Sequence, residues 1–579
     1  MESHAFLDPA RRSANRSLIL LLLLLVLPSF AAAQSHDASA SSVSITEVKK
    51  LYEQQNWDAV LRAVPAQSQG PAELLLYRGL ALARLERWRE ARAAFSEGRA
   101  LAPNDPRFPE ELAGIAYRQK DFSNAKGELR RALALHPADA YANDFLASIY
   151  FQEGNLEAAL KYWNRAGKPI LSRLTMDPTP AIHPLILDRA FTFSPGEIWT
   201  RESFLATQAR LQALDLYPGM YFALQPHDDN SFDLAVHASE RQTLPTNRWE
   251  VLLSFFRELP YQAIHPEFYD LDHAGLNWTS TYRWDDQKRL VSSELTAPLF
   301  ANPAIRYRLY FDGRNENWNL TNSFLPSSPA FSRLNLQKAA AGAELRFLQG
   351  GFWQWTAGVE YSYRDFRNLY GLAPQAAPFF SSGSSIALRS SLQRWLIRFP
   401  ERRFTLQASA NGELGTFYRD PLGRYARAEG TLAARWLPKA RGDDYDTQIS
   451  LHSGGTSGYV PFDELFTLGF DRDTPLWLRG HPGLQDGQKG NAPLGRDYVL
   501  VNAETSKVLY RNGFFTVKAG PFLDTGDVYD PSGYFGSTHW LWDTGLQTKI
   551  SVLNRFQIVL GYGKDLRTGR NSFFTTVLP

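Results

Sequence analysis

The sequence contains no cysteine. Disulfides, thiolate metal sites and a cysteine nucleophile are therefore excluded. An excess of charge of one sign is also missing, the net charge being +2, so nothing points to nucleic acid. Beyond a single apolar run near the N-terminus there is no stretch long enough for a membrane-crossing helix, and the mean hydropathy is −0.33. Catalytic signatures are absent as well. No phosphate-binding loop or H-E-x-x-H pair occurs. Gly455-Thr456-Ser457-Gly458 is not a G-x-S-x-G elbow, because Tyr459 stands where the second glycine belongs. Asp228-Asp229 and Asp443-Asp444 fall in predicted loops and read as solvated turn residues. The chain reads as a non-enzyme with no cofactor and no metal motif.

Aromatic residues, by contrast, are abundant: 13% of the chain, with 15 Trp and 25 Tyr. From about residue 247 to 579 they sit in alternating segments. Ile305, Tyr307, Leu309 and Phe311 alternate with Arg306, Arg308 and Asp312. Trp353, Trp355, Ala357, Val359, Tyr361 and Tyr363 alternate with Gln354, Thr356, Gly358, Glu360, Ser362 and Arg364. Segments of about ten residues, apolar on one face and charged on the other, predict a transmembrane β-barrel with aromatic girdles. A soluble sandwich has shorter strands, of about six residues. At roughly 20 residues per strand and loop the segment holds about sixteen antiparallel strands. The last five are expected near 498–510, 513–525, 541–552, 555–563 and 571–578. The chain then ends at Pro579, where outer-membrane barrels usually end in an aromatic residue.

A chain of 579 residues holds two or three domains. Residues 1–33 read as an export signal: Arg11, Arg12 and Arg16 precede a leucine-rich core, Pro28 breaks it, and Ala31-Ala32-Ala33 offers small residues for cleavage. Residues 44–171 repeat with a period of 34, the spacing of Pro103 and Pro137, of Ala91, Ala125 and Ala159, and of Trp88, Phe122 and Leu156. Phe95, Leu129 and Trp163 keep the same step, and Gly79, Ala113 and Ala147 take the tight position of the first helix. Small residues let paired helices approach and the aromatics fill the groove, which is the tetratricopeptide pattern of an α-helical solenoid. A degenerate earlier unit runs through Leu51 and Trp57. Such an array presents a concave surface to a protein partner; the plainer alternative is a spacer.

Residues 183–242 read as a small α/β unit. A strand is expected at Arg189–Phe193, then a helix through Phe204, Leu205, Leu211 and Leu214, then strands at 221–224 and 232–236. This order resembles a POTRA (polypeptide-transport-associated) domain, a module that stands directly before the barrel in its family and lends a sheet edge to an incoming strand.

The stretch from Leu478 to Gly526 carries a second resemblance. It opens with Leu478-Arg479-Gly480-His481 in a Gly/Pro-rich loop. A strand follows with Asn502, Glu504 and Ser506 on one face, and a second ends in Phe522-Leu523-Asp524-Thr525-Gly526. Alternation puts Phe522, Asp524 and Gly526 on one face. If that face lines a barrel, Asp524 needs a cation, and Arg479 is the candidate, with Glu504 a second acceptor. The arrangement resembles the BamA/TamA-type outer-membrane superfamily (bacterial surface antigen family). Its members carry a V-R-G-F-like tetrad on a folded-back loop and an F-x-D-x-G signature on a late strand. Here Leu478 replaces Val and His481 replaces the aromatic. The resemblance implies a pairing of Arg479 with Asp524, a loop between strands eleven and twelve, and a place in the bacterial outer membrane with the N-terminal domains periplasmic. It also implies insertion or translocation of an unfolded polypeptide client, with the repeats recruiting client or partner proteins. The alternative is a passive channel or surface structural protein tethered to periplasmic partners.

Overall fold

The structure, a computed structural model, describes residues 44–66, 70–228, 231–241, 255–320, 333–370, 374–418, 423–442, 444–531, 533–553 and 556–578. The expected export signal at 1–33 and barrel start at 247 lie outside these residues. The chain forms two compact units, residues 1–94 and 95–579.

In the first unit, α1 (Ile45–Glu53), α2 (Trp57–Ala63) and α3 (Ala72–Arg84) pack Val48, Val60, Val64, Leu74 and Ala81 together, with Leu51 and Trp57 against them. Helix α4 (Trp88–Leu101) crosses the boundary, and α5 (Arg107–Arg118), α6 (Phe122–Leu135), α7 (Ala140–Gln152) and α8 (Leu156–Trp163) follow. The period of 34 is visible as local geometry. Glu86, Lys120 and Gly154 each adopt a left-handed backbone in the turn between paired helices. Asp121 and Asn155, at the same step, cap the next helix through the N–H groups of Asn124 and Ala158. Gly79, Ala91, Ala113, Ala125, Ala147 and Ala159 are buried, as are Phe95, Leu129 and Trp163. Trp88 and Phe122 are half-buried, while Pro103 and Pro137 are exposed in the turns.

A small mixed sheet follows: β1 (Ile170–Asp177), α9 (Pro184–Ala190), α10 (Arg201–Ala213), β2 (Gly219–Pro226) and β3 (Ser231–Ser239). The sheet order is β1-β3-β2, with β1 parallel to β3 and β2 antiparallel to it. Its buried face joins Leu171, Leu224, Leu234 and Val236 to Trp199, Phe204, Leu211 and Leu214, and the same core takes in Leu146, Leu160 and Trp163 of the helices. Arg189–Phe193 is not the expected strand. Pro184 at the first turn starts α9, which runs to Ala190, and Phe191 and Phe193 instead make aromatic contacts leading to Trp199. The first strand of the sheet is Ile170–Asp177, ahead of the segment where the sequence reading placed its strands.

The rest of the chain is one large antiparallel sheet that fits a C-terminal barrel. Fifteen long strands are described. They are β4 (Glu267–Leu271), β5 (Leu276–Trp284), β6 (Lys288–Leu299), β7 (Asn302–Asn319) and β8 (Arg333–Gln349). Next come β9 (Trp353–Arg367), β10 (Gly383–Phe399), β11 (Phe404–Phe417), β12 (Gly423–Trp436) and β13 (Tyr445–Gly458). The last five are β14 (Asp497–Arg511), β15 (Phe515–Tyr529), β16 (Leu541–Val552), β17 (Phe556–Asp565) and β18 (Asn571–Leu578). Each strand pairs with its successor, and in the sheet order the two-residue strand Ala263–Ile264 stands between β18 and β4. About sixteen were expected; these fifteen and the two-residue strand Ala263–Ile264 are described. The folded-back loop runs from β13 to β14. Gly455–Gly458 is strand, not an elbow.

The sheet is apolar outside and polar inside. On β9, Trp355, Val359, Tyr361 and Tyr363 are exposed, whereas Thr356, Glu360, Ser362 and Arg364 are buried. On β7, Leu309 and Phe311 are exposed and Arg306 is buried. A water-soluble protein hides the opposite set. Strands that satisfy their backbone laterally while presenting apolar side chains outward suit a hydrocarbon surround. No helix among the described residues is long and apolar enough to cross a membrane.

Turns of this sheet contact the preceding domains. Asn155 Nδ2 donates to the Pro400 carbonyl at 2.8 Å, Lys161 pairs with Glu401, and Glu157 is held by Arg201 and Arg398 at 2.9 and 2.7 Å. On the other side Asn277 Nδ2 donates to the Leu214 carbonyl at 2.8 Å.

Candidate functional site

Adjacent strands place three carboxylates on one rung. The registers pair Asn502 with Asp524, Asp524 with Asp543, and Asp543 with Asp565. Like charges directly opposite one another repel. These three are also buried, at 0%, 0% and 4% exposure, so cations and N–H donors must face them.

The loop from Leu478 supplies those donors in order. Arg479 grips Asp524 with two prongs, Nε to Oδ2 at 2.8 Å and Nη2 to Oδ1 at 2.6 Å, and its backbone N–H donates to Oδ2 at 3.0 Å. Gly480 N–H donates to Asp543 Oδ2 at 2.6 Å. His481 turns Nδ1 toward the same oxygen at 3.0 Å and Nε2 toward Asp565 at 3.6 Å. Three consecutive residues thus address the three carboxylates of that one rung, strand by strand. The guanidinium also reaches Glu504 at 2.7 Å and Gln547 at 2.9 Å, and stacks 3.9 Å over the Phe522 ring. Lys549 meets the other oxygen of Glu504. Two parallel donors on a carboxylate, with a ring behind, are a geometry that lysine cannot copy.

Glycine is dictated here by close approach. A Cβ on Gly480 would stand 2.6 Å from Asp543 Cγ, and one on Gly563 would stand 2.3 Å from the Arg479 carbonyl oxygen. Gly526 lies on the same buried face as Phe522 and Asp524, where a Cβ would meet the Val499 carbonyl oxygen at 2.6 Å. Phe522 packs with Phe470, Val559 and Phe574 under the loop. Burial alone would push the His481 imidazole down, but the hydrogen bond and charge of Asp543, with Asp565 beyond, hold it above its ordinary value.

The pairing of Arg479 with Asp524 is the contact the family resemblance implies. The chain is similar in fold to BamA and CdiB barrels. The BamA structure from Haemophilus ducreyi lacking POTRA domains 1–3 matches at a TM-score of 0.42 and 11% identity, covering 71% of this chain and 85% of that one. CdiB from Escherichia coli matches at 0.44 and 12%, covering 71% and 75%. CdiB from Acinetobacter baumannii matches at 0.43 and 12%, covering 81% and 86%. No family model and no curated protein matches. Likenesses this distant carry no argument about function, which rests on the contacts described here.

Arg479, Gly480, Glu504, Phe522 and Asp524 meet at the loop, and Gly526 lies on the buried strand face of Phe522 and Asp524. What the sequence reading missed is the larger part of the loop's anchorage. Asp463 and Glu464 face buried Arg364, each at 2.8 Å, and Lys338 at 2.7 and 3.0 Å. Asp473 reaches Arg283 at 3.1 Å and Lys489 at 3.2 Å, while Lys489 reaches Glu316 at 2.8 Å. Ion pairs thus tie the loop to β5, β7, β8, β9 and β14–β17. The signal available in the sequence was the run of buried-face charges on those strands, which alternation alone could place but not pair.

Proposed function

We propose that this protein is a BamA/TamA-type outer-membrane protein that inserts or translocates polypeptides, with the domains before the barrel on the periplasmic side. The observation that carries the reading is the two-pronged Arg479–Asp524 pair between a folded-in loop and an F-x-D-x-G strand, inside a sheet that is apolar outside. A loop fixed by so many charges braces the wall from within and fills interior space, which disfavours a permanently open channel. The strand–helix–helix–strand–strand order at 170–239 supports a POTRA-like module. Its outer strand β2 pairs only with β3 among the described residues, and so offers an edge to a client strand. The paired helices with their period of 34 support a tetratricopeptide array that recruits client or partner proteins. A sixteen-stranded closure with a weak seam between first and last strands gives the client its route, and the mechanism needs no covalent chemistry.

Depletion followed by comparison of the outer-membrane and secreted proteomes tests this. Loss of many barrels identifies an insertase, and loss of one secreted protein a dedicated transporter. No loss in either fraction overturns the proposal and leaves the passive channel.

A further inference from the structure

The loop's last anchor sets one imidazole against two carboxylates, with the Arg570 charge nearby. Arg479 and Lys549 together offset Asp524 and Glu504. Asp543 and Asp565 remain, opposite one another on β16 and β17, with His481 between them. Asp543 is fully buried, and among the described residues its Oδ1 receives no hydrogen bond, although the imidazole lies 2.9 Å away. A buried carboxylate oxygen without a donor is costly. One ligand atom from each of His481, Asp543 and Asp565 can be chosen so that all three lie within 4.8 Å of one another.

We propose that His481, Asp543 and Asp565 bind one divalent transition-metal cation, with Zn2+ as the representative, which clamps the tip of the loop to β16 and β17. Ligands about 2.0–2.2 Å from a tetrahedral zinc ion stand roughly 3.3–3.6 Å apart, so the three groups draw in by up to about 1 Å to hold it, and three protein ligands leave a position for water. One divalent charge neutralises the two carboxylates, and His481 gives a lone pair to the ion, releasing to solvent any proton held there. The imidazole selects against Mg2+ and Ca2+, which take oxygen ligands. Asp565 also accepts from Arg567 N–H at 2.9 Å and from Thr568, so it is held in place before any ion arrives. The ligands come from a loop and two strands well apart in the chain, so no sequence motif announces them.

The test uses the full chain in detergent, stripped with chelator and titrated with zinc chloride at pH 7.5. Bound metal is measured by mass spectrometry after desalting, and the loop by deuterium exchange over Leu478–Gly483. One equivalent of zinc per chain is expected, with slower exchange of that segment and no displacement by excess Mg2+ or Ca2+. H481F and D565N should each weaken zinc binding by at least about 100-fold, beyond the loss of an outer partner alone. Heat-modifiable mobility on gels reports whether each variant has kept its barrel. Failure of the unaltered protein to retain zinc overturns the proposal without any variant. Zinc retained equally by folded H481F and D565N overturns it too, and so does zinc that leaves the exchange of Leu478–Gly483 unchanged.

Discussion

Ala125 in the helical array and Arg479 in the loop are both buried, and they are held by opposite means. Ala125 contributes only the absence of bulk, letting two helices close over Leu129 and Leu133. Its neighbours are apolar, so an error there is a matter of volume and can be relaxed by a shift. Arg479 is buried among acids and an amide, with every prong occupied. An error there leaves a charge without a partner, and no small shift supplies one. Packing tolerates graded damage, whereas a buried charge network fails abruptly.

The largest effect should therefore come from the network. Arg479→Ala leaves Asp524 and Glu504 without the guanidinium, at about 3–5 kcal/mol. It should free the loop to protease and lower barrel assembly or transport. Asp524→Asn should be milder, because the amide keeps an acceptor, and Arg479→Lys should restore function only in part. A double-mutant cycle that finds no coupling between 479 and 524 would remove the contact from the argument.

Next in size is the array. Ala125→Leu should overpack the helix pair by about 1–3 kcal/mol, read as faster proteolysis of α5 and α6 while the barrel stays heat-modifiable. Wild-type protease resistance would show that apolar burial there is looser than the geometry says. If the array recruits clients, transport falls with it.

The junction of the two regions is intermediate. Glu157 is half-buried between Arg201 and Arg398. Glu157→Gln should cost about 1 kcal/mol, the scale of a partly solvated pair, and should raise deuterium exchange in α8. An unchanged α8 would mean that its apolar contacts alone hold the junction.

The smallest effect is a pH dependence inside the array. Burial, then the charges of Asp139, Glu111 and Asp105, push the Glu110 carboxyl up to about 7. A folded-state value above the unfolded one stabilises fully below the ordinary carboxylate range, and that contribution is lost as pH rises through about 7. Protection of the α5 amides relative to their intrinsic, base-catalysed exchange rate should fall from pH 5 to pH 8, by no more than about 1 kcal/mol after solvent screening. Glu110→Gln should flatten the profile. A slope that survives the substitution assigns the effect to another group.

The two regions also differ in how far the sequence reveals them. Each repeat of the array makes its contacts within itself or with its neighbour, so Ala91, Ala125 and Ala159 are visible as a spacing. The late strands were legible for a similar reason, since alternation reports a face without needing a partner. Arg479 and Asp524 were readable only because each stands in a short motif. Asp543 and Asp565 stand in none. As isolated aspartates on ordinary strands they become a site only when β16 and β17 lie beside β15. The misplaced strand at Arg189–Phe193 has a related cause. Phe191 and Phe193 alternate as a strand would, yet they serve a short connection packed toward Trp199, while the actual strand Ile170–Asp177 is largely exposed and shows little apolar alternation.

The sequence by itself therefore determined the periodicities: 34 residues for the helices, two for the strands, and with them the inside-out polarity of the sheet. These follow from backbone geometry, which repeats over a few residues and leaves its mark at fixed intervals. Beyond the pair that the family resemblance implied, Arg479 with Asp524, only the tertiary structure decided which charges meet. Asp524, Asp543 and Asp565 come from three strands and their donors from one loop, and that match depends on register and on the loop's path across the interior. Neither is encoded at a fixed spacing along the chain, because the force that makes the match, the cost of leaving a charge buried without a partner, acts only once the strands have closed around it.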